Sequence, residues 1–269
     1  MHRALATPGD QLDRPTRDFY RQALQIMGDS GVRYCVAGAY ALAAHAGIIR
    51  HTKDLDVFLR RHDMEQALAA FERVGFYTER THPHWLAKVF AGPDRAPDAF
   101  IDLIFRAASG IWEVDDAWLD HAFPGDVVGR TAPLCPAEEL IWSKAMVMER
   151  DRFDGADIAH VIHSRGRELD WPRLLHRAAG HEGILLGHLS FYRYIYPCDP
   201  QNVPDAVLKE LFQKVLDLRA PQDQICRGTL VSWEQYLPDV NDRGLIDGRL
   251  RPWGRLTPEE IQRWTKAEK

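Results

Sequence analysis

Apolar positions recur at helical spacing early in the chain. Phe19, Tyr20, Ala23, Leu24 and Met27 share one face of a helix expected over residues 15–27, closed by the glycines at 28 and 31. Tyr34 to Ala37 is a short apolar run that stops at Gly38, which predicts a buried strand followed by a tight turn. The small residues of 39–46 favour a short helix, and 49–53 reads as a loop. Leu55, Val57 and Leu59 then alternate with Asp54, Asp56 and Phe58, the period of two that marks a strand. Residues 64–74 predict an amphipathic helix, with Leu68, Phe71 and Val74 on one side and Glu65 and Glu72 on the other. Strands follow at 76–79, 85–90 and 100–105, the last two separated by a turn at Gly92 to Pro97.

The second half carries a different pattern. Pro136 suits a first helical position, and helices are expected at 137–148, 153–164, 172–179, 184–194 and 205–218. No internal repeat or low-complexity linker interrupts them. The last fifty residues hold Trp233, Trp253 and Trp264 among many Pro, Gly and Arg residues, which predicts a tail packed over the body. The fold class expected is α+β: a mixed β-sheet core with flanking helices over 1–132, then a mainly helical region over 133–269. The boundary is set by the punctuation of Pro133 and Pro136.

The period of two places chemistry on the sheet. Asp54 and Asp56 leave the same face of their strand, roughly 6.5 to 7 Å apart along the backbone, while their apolar neighbours point the other way. On the later strand Ile101, Leu103 and Phe105 share one face and Asp102 takes the other. If these strands are neighbours, three carboxylates face one another. They repel unless cations fill the space between them. Hard oxygen ligands suit Mg²⁺ or Mn²⁺, and two such ions about 3.5 to 4 Å apart activate an attacking oxygen and stabilise a leaving one. Upstream, Gly38 and Ala39 lie at a strand-to-helix junction, where a glycine lets the backbone approach a ligand and helix N–H groups hold phosphate oxygens.

These residues resemble the nucleotidyltransferase superfamily, related in fold to DNA polymerase beta. The resemblance is carried by Val36-Ala37-Gly38-Ala39-Tyr40-Ala41-Leu42, by Arg50-His51-Thr52-Lys53-Asp54-Leu55-Asp56-Val57 and by Ile101-Asp102-Leu103-Ile104. It implies a nucleotidyltransferase core in which Gly38 holds the triphosphate of an NTP such as ATP, Asp54 and Asp56 bind Mg²⁺ or Mn²⁺, and Asp102 completes the site and acts as general base. Ala39 departs from the second Gly or Ser usual in that turn and removes a hydroxyl contact to phosphate. The stretch from Pro136 to Lys144 and then Arg152 to Asp157 also resembles bacterial nucleotidyltransferase-like proteins, in which a helix with a Lys precedes Arg-x-Asp-x-x-Asp. The resemblance covers residues 30–165.

Other candidates keep two readings each. Arg50, Thr52 and Lys53 precede the acids and either contact phosphates or form a solvated loop. Lys144 either reaches a nucleotide or an acid across a cleft, or snorkels to the surface. Asp154 and Asp157 either bind substrate or pair with Arg150 and Arg152. The 12 histidines form no pattern with Cys partners, and Phe191 to Tyr196 either stacks on a base or packs a core.

Composition adds limits. The net charge of −5 gives no general attraction to nucleic acid. Cys35, Cys135, Cys198 and Cys226 are widely spaced, which suits free thiols in a reducing compartment. No apolar run is long enough to cross a bilayer, and 1–17 has no apolar stretch of the signal-peptide kind, so a soluble cytoplasmic protein is expected. The sequence thus predicts transfer of a nucleoside monophosphate to an acceptor that is a small molecule, a protein or an RNA end. The competing reading keeps the fold as a catalytically degenerate nucleotide-binding or protein-interaction module, as in a toxin–antitoxin-like pair.

Overall fold

Asp13 accepts a hydrogen bond from the Thr16 amide at 2.8 Å, and Pro15 sits in the first turn that follows, so the first helix starts at a capped end. That helix, α1 (Arg14–Asp29), buries Phe19, Tyr20, Ala23, Leu24 and Met27, the stripe expected from the spacing. The computed structural model describes residues 7–96, 98–219 and 221–267. Pro97 of the anticipated turn lies outside them.

The chain divides into two compact units, one formed by 1–108 with 112–136 and the other by 109–111 with 137–269. The first is built on a mixed seven-stranded sheet. Its strands are β1 (Tyr34–Val36), β2 (Asp54–Leu59), β3 (Tyr77–His82), β4 (Leu86–Phe90), β5 (Phe100–Ile104), β6 (Phe123–Val127) and β7 (Arg130–Leu134). Their order across the sheet is β3-β4-β5-β2-β1-β7-β6. The β2 and β5 strands run parallel, as do β1 and β7, and the other neighbours are antiparallel. Among the described residues three further α-helices join α1 in this unit: α2 (Gly38–Ala46), α3 (Met64–Glu72) and α4 (Asp116–Asp120).

One side of the sheet forms the core. Leu55, Val57, Ile101, Leu103, Ala87 and Val89 pack in one cluster with the stripes of α1 and α3. Alternation sends Asp54, Asp56 and Phe58 to the other side, where Phe58 is covered by Trp112 and Trp118 at ring distances of 5.5 and 5.4 Å. The same strand therefore buries one side of the core and presents acids on the opposite face.

Several boundaries differ from the expectation. The third helix stops at Glu72, so Val74 falls off the apolar face and is 52% exposed. The strand anticipated at 76–79 continues to His82. The hairpin of β6 and β7 was not anticipated, because Pro124, Gly125 and Pro133 break the alternation that reveals a strand. Its geometry tolerates them: β6 is the edge of the sheet, and β7 meets β1 in register only at Val36 and Leu134.

The second unit is mainly helical, with α5 (Ala137–Ala145), α6 (Gly155–Arg165), α7 (Trp171–Arg177), α8 (Glu182–Ile195), α9 (Asp205–Leu216), α10 (Trp233–Asn241) and α11 (Pro258–Ala267). Helix α5 ends three residues before the expected Met148, at Ala145. Buried ion pairs tie it to its neighbours: Glu139 receives Arg177 at 3.1 Å on α7. The region after 219, expected as a tail packed over the body, contains α10, α11 and a parallel pair of two-residue strands, Ile225–Cys226 and Ile246–Asp247. Its centre is Arg249, wholly buried and bonded through Nη2 to Asp247 at 2.7 Å. Among the described residues no helix is long and apolar enough to cross a membrane.

Candidate metal centre

The parallel pairing of β2 and β5 sets Asp56 directly opposite Asp102, with Asp54 one same-face position earlier on β2. Each of the three offers a carboxylate oxygen, and these oxygens all lie within 4.8 Å of one another. Among the described residues this is the one group of three or more His, Cys, Asp or Glu side chains arranged to hold a metal ion. All three are half-buried, open enough to be reached and shielded enough for charge to matter.

The turn after β1 brings a helix to the same place. Because β1 runs antiparallel to β2 with Val36 opposite Val57, the chain leaving β1 passes Asp56, and the Ala37 amide donates to the Asp56 carbonyl at 2.9 Å. Gly38 follows with φ +53°, in the left-handed region. It opens α2 beside the Asp56 carboxylate, and Ala39 occupies the next helical position, adding an amide but no hydroxyl.

Nearby groups orient the acids. Thr52 donates its hydroxyl to Oδ1 of Asp54. Tyr20, buried on α1, donates its hydroxyl to the Lys53 carbonyl at 2.8 Å and approaches the Phe100 carbonyl at 3.3 Å, fastening the ends where β2 and β5 begin. Burial pushes the Tyr20 phenol far up from its ordinary value, and the negative fields of Tyr40, Asp54, Asp56 and Asp102 push it further. Burial raises Tyr40 as well, against the opposing charge of Arg17.

The remaining sequence candidates are distributed. Arg50 lies on the exposed loop before β2. The Lys53 ammonium, 65% exposed, pairs with Asp98 at 3.1 Å. Lys144 belongs to the second unit, where it bridges Asp154 at 2.9 Å and Asp157 at 2.8 Å. Burial pushes the Asp154 carboxyl up, but Lys144 and Arg152 together hold it below its ordinary value. Of the arginines anticipated as partners, Arg152 pairs with Asp154 at 3.5 Å, and Lys144 is a closer partner that was not anticipated for these acids. Among the histidines, His45 and His188 meet the carbonyls of Cys135 and Ala145, both at 2.9 Å. In the aromatic segment Tyr192 is buried, whereas Tyr194 is 81% exposed.

One residue of the site escaped the sequence reading. Lys88 on β4 lies opposite Asp102 in the antiparallel β4–β5 register, and its ammonium reaches Oδ1 of Asp102 at 2.7 Å. The signal was present: Lys88 is the one polar residue of Leu86–Phe90. What the sequence lacked was the register of β4 on β5 that sets Lys88 opposite Asp102.

No protein-family model matches the chain, and no curated protein matches it. Solved structures do. The chain is similar to ANT(2'')-Ia, crystallised in complex with adenylyl-2''-tobramycin, at 17% identity over 61% of this chain and 95% of that one, with a TM-score of 0.43. It is similar to the lincosamide antibiotic adenylyltransferase LnuA, in its lincomycin-bound crystal structure, at 13% identity over 54% of this chain and 94% of that one, with a TM-score of 0.37. It is also similar to JHP933 from Helicobacter pylori, at 11% identity over 90% of this chain and 97% of that one, with a TM-score of 0.39.

Proposed function

We propose that the protein is a metal-dependent nucleotidyltransferase that moves a nucleoside monophosphate from an NTP to an acceptor hydroxyl. The observation that carries this reading is the register that sets Asp56 opposite Asp102 with Asp54 beside them, at the mouth of the Gly38 turn.

The residues fit Mg²⁺ or Mn²⁺. Three hard carboxylate donors converge within 4.8 Å, and the backbone approaches Asp56 so closely that a Cβ at residue 38 would meet its carboxylate. Asp54, Asp56 and Asp102 hold the ions in this reading, with Thr52 fixing the rotamer of Asp54. Bound ions supply neutralisation of phosphate charge and stabilise the leaving pyrophosphate.

The chain's own groups do the rest. The amides at Gly38 and Ala39 open α2 and offer N–H donors and a favourable helix dipole to a triphosphate. Arg50 and Lys53, on the approach to β2, attract it over a longer range. The acceptor oxygen bonds to the α-phosphorus as the bond to pyrophosphate breaks, and the hydroxyl proton passes to Asp102. Lys144, whose ammonium is held by Asp154 and Asp157 of its own unit, is assigned no step.

The test is pyrophosphate release from each NTP with Mg²⁺ across a panel of small-molecule, protein and RNA hydroxyl acceptors. Release that the Asp54→Asn, Asp56→Asn double variant lacks, while that variant stays folded, supports transfer at this site. Release undiminished in the variant overturns it. Tight Mg·NTP binding with no pyrophosphate from any acceptor selects the non-catalytic binding module instead.

A further inference from the structure

Lys88 is placed by the sheet itself. Antiparallel pairing of β4 with β5 sets it opposite Asp102, and its ammonium is doubly held: Oδ1 of Asp102 lies 2.7 Å away, and the Phe100 ring centroid lies 3.6 Å from Nζ. The Lys88 and Asp102 side chains are only 21% and 13% exposed, so solvent screens their pairing weakly. A lysine turned to the surface would make neither contact.

We propose that Lys88 is a built-in competitor for the divalent ion, an ammonium that already satisfies part of the charge of Asp102 and so lowers the site's affinity for metal. The inference rests on the reading of Asp54, Asp56 and Asp102 as metal ligands. A divalent cation arriving at these acids meets a positive charge fixed on one of its own ligands. It must bind beside that ammonium or displace it from Asp102. Lys88 is thus a positioning residue that acts through Asp102, and it biases the site toward ions delivered together with a polyanionic ligand, whose charge offsets the lysine.

The experiment is Mn²⁺ titration without nucleotide, followed by the loss of the free-ion electron paramagnetic resonance signal, on wild type and on Lys88→Met, Lys88→Gln and Lys88→Arg. Methionine keeps an apolar stem over Phe100, and glutamine keeps a neutral donor toward Asp102. Both neutral variants are expected to bind Mn²⁺ at least about tenfold more tightly, the effect of removing one unit charge some 5 to 6 Å from a divalent ion even at the dielectric of bulk water. The arginine variant should match wild type. A glutamine variant that binds no more tightly than wild type overturns the inference, even if the methionine variant fails to fold. If wild type binds Mn²⁺, loses it in Asp54→Asn, Asp56→Asn and is unaffected by neutralising Lys88, the competition is refuted and the metal site stands. If no form binds Mn²⁺, both are refuted.

Discussion

A Cβ on residue 38 would lie 1.9 Å from Oδ2 of Asp56, so any larger residue there must displace the Asp56 carboxylate. Steric exclusion and the positive φ of Gly38 act together here. The close approach is what puts the first amides of α2 beside an acid.

Gly38→Ala is therefore expected to destabilise the protein by about 1–3 kcal/mol through the unfavourable backbone region alone. It should also displace Asp56 and weaken Mn²⁺ binding. Urea unfolding and metal titration on the same preparation check both effects. Unchanged stability together with unchanged binding would show that the turn relaxes without involving the acid.

Thr52 acts on Asp54 as Gly38 acts on Asp56. Replacing it by the isosteric valine removes the hydroxyl that holds Oδ1 of Asp54 while keeping the volume of the side chain. Partners that orient a metal ligand are commonly worth about 10–100-fold in metal affinity. A loss of that size in Thr52→Val, with thermal stability close to wild type, is the expected outcome of Mn²⁺ titration.

The site and its hidden partner show what a sequence can disclose. Asp54, Asp56 and Asp102 were legible because Leu55, Val57, Ile101 and Leu103 mark the buried side of each strand, and the acids must then share the other. Register was not legible. The turn expected at 92–97 turns the strand at 85–90 back toward 100–105, but nothing in the sequence fixes which residue faces Asp102, so Lys88 was not singled out. The hairpin of β6 and β7 was hidden for a different reason: Pro124 and Gly125 are tolerated on the edge strand β6, and Pro133 on β7, which meets β1 in register only at Val36 and Leu134. The buried pair of Asp247 and Arg249 was hidden too, since two polar residues amid Gly, Arg and Pro give no periodic signal of burial.

That pair sets a pH dependence. Burial pushes the Asp247 carboxyl up, but the bonds from Arg249 and from Thr229 outweigh it and hold the group below its ordinary 3.8. A carboxylate depressed in the folded state contributes stability above its unfolded value and loses that contribution as pH falls through the folded one. Asp247→Asn should cost about 3–5 kcal/mol near neutrality, as expected when one partner of a buried ion pair is removed. The gap between variant and wild type should narrow as the pH falls below 3.8. Urea unfolding at a series of pH values measures it, and a gap independent of pH would refute the assignment.

The central claim is that Asp54, Asp56 and Asp102 form a metal site that receives a nucleotide. Its most direct test is isothermal titration of each NTP, with and without Mg²⁺, into wild type and into the Asp54→Asn, Asp56→Asn variant. The account predicts binding that requires Mg²⁺ in wild type and is lost in a variant that remains folded. Equal NTP binding by both proteins, or binding indifferent to Mg²⁺, would contradict it.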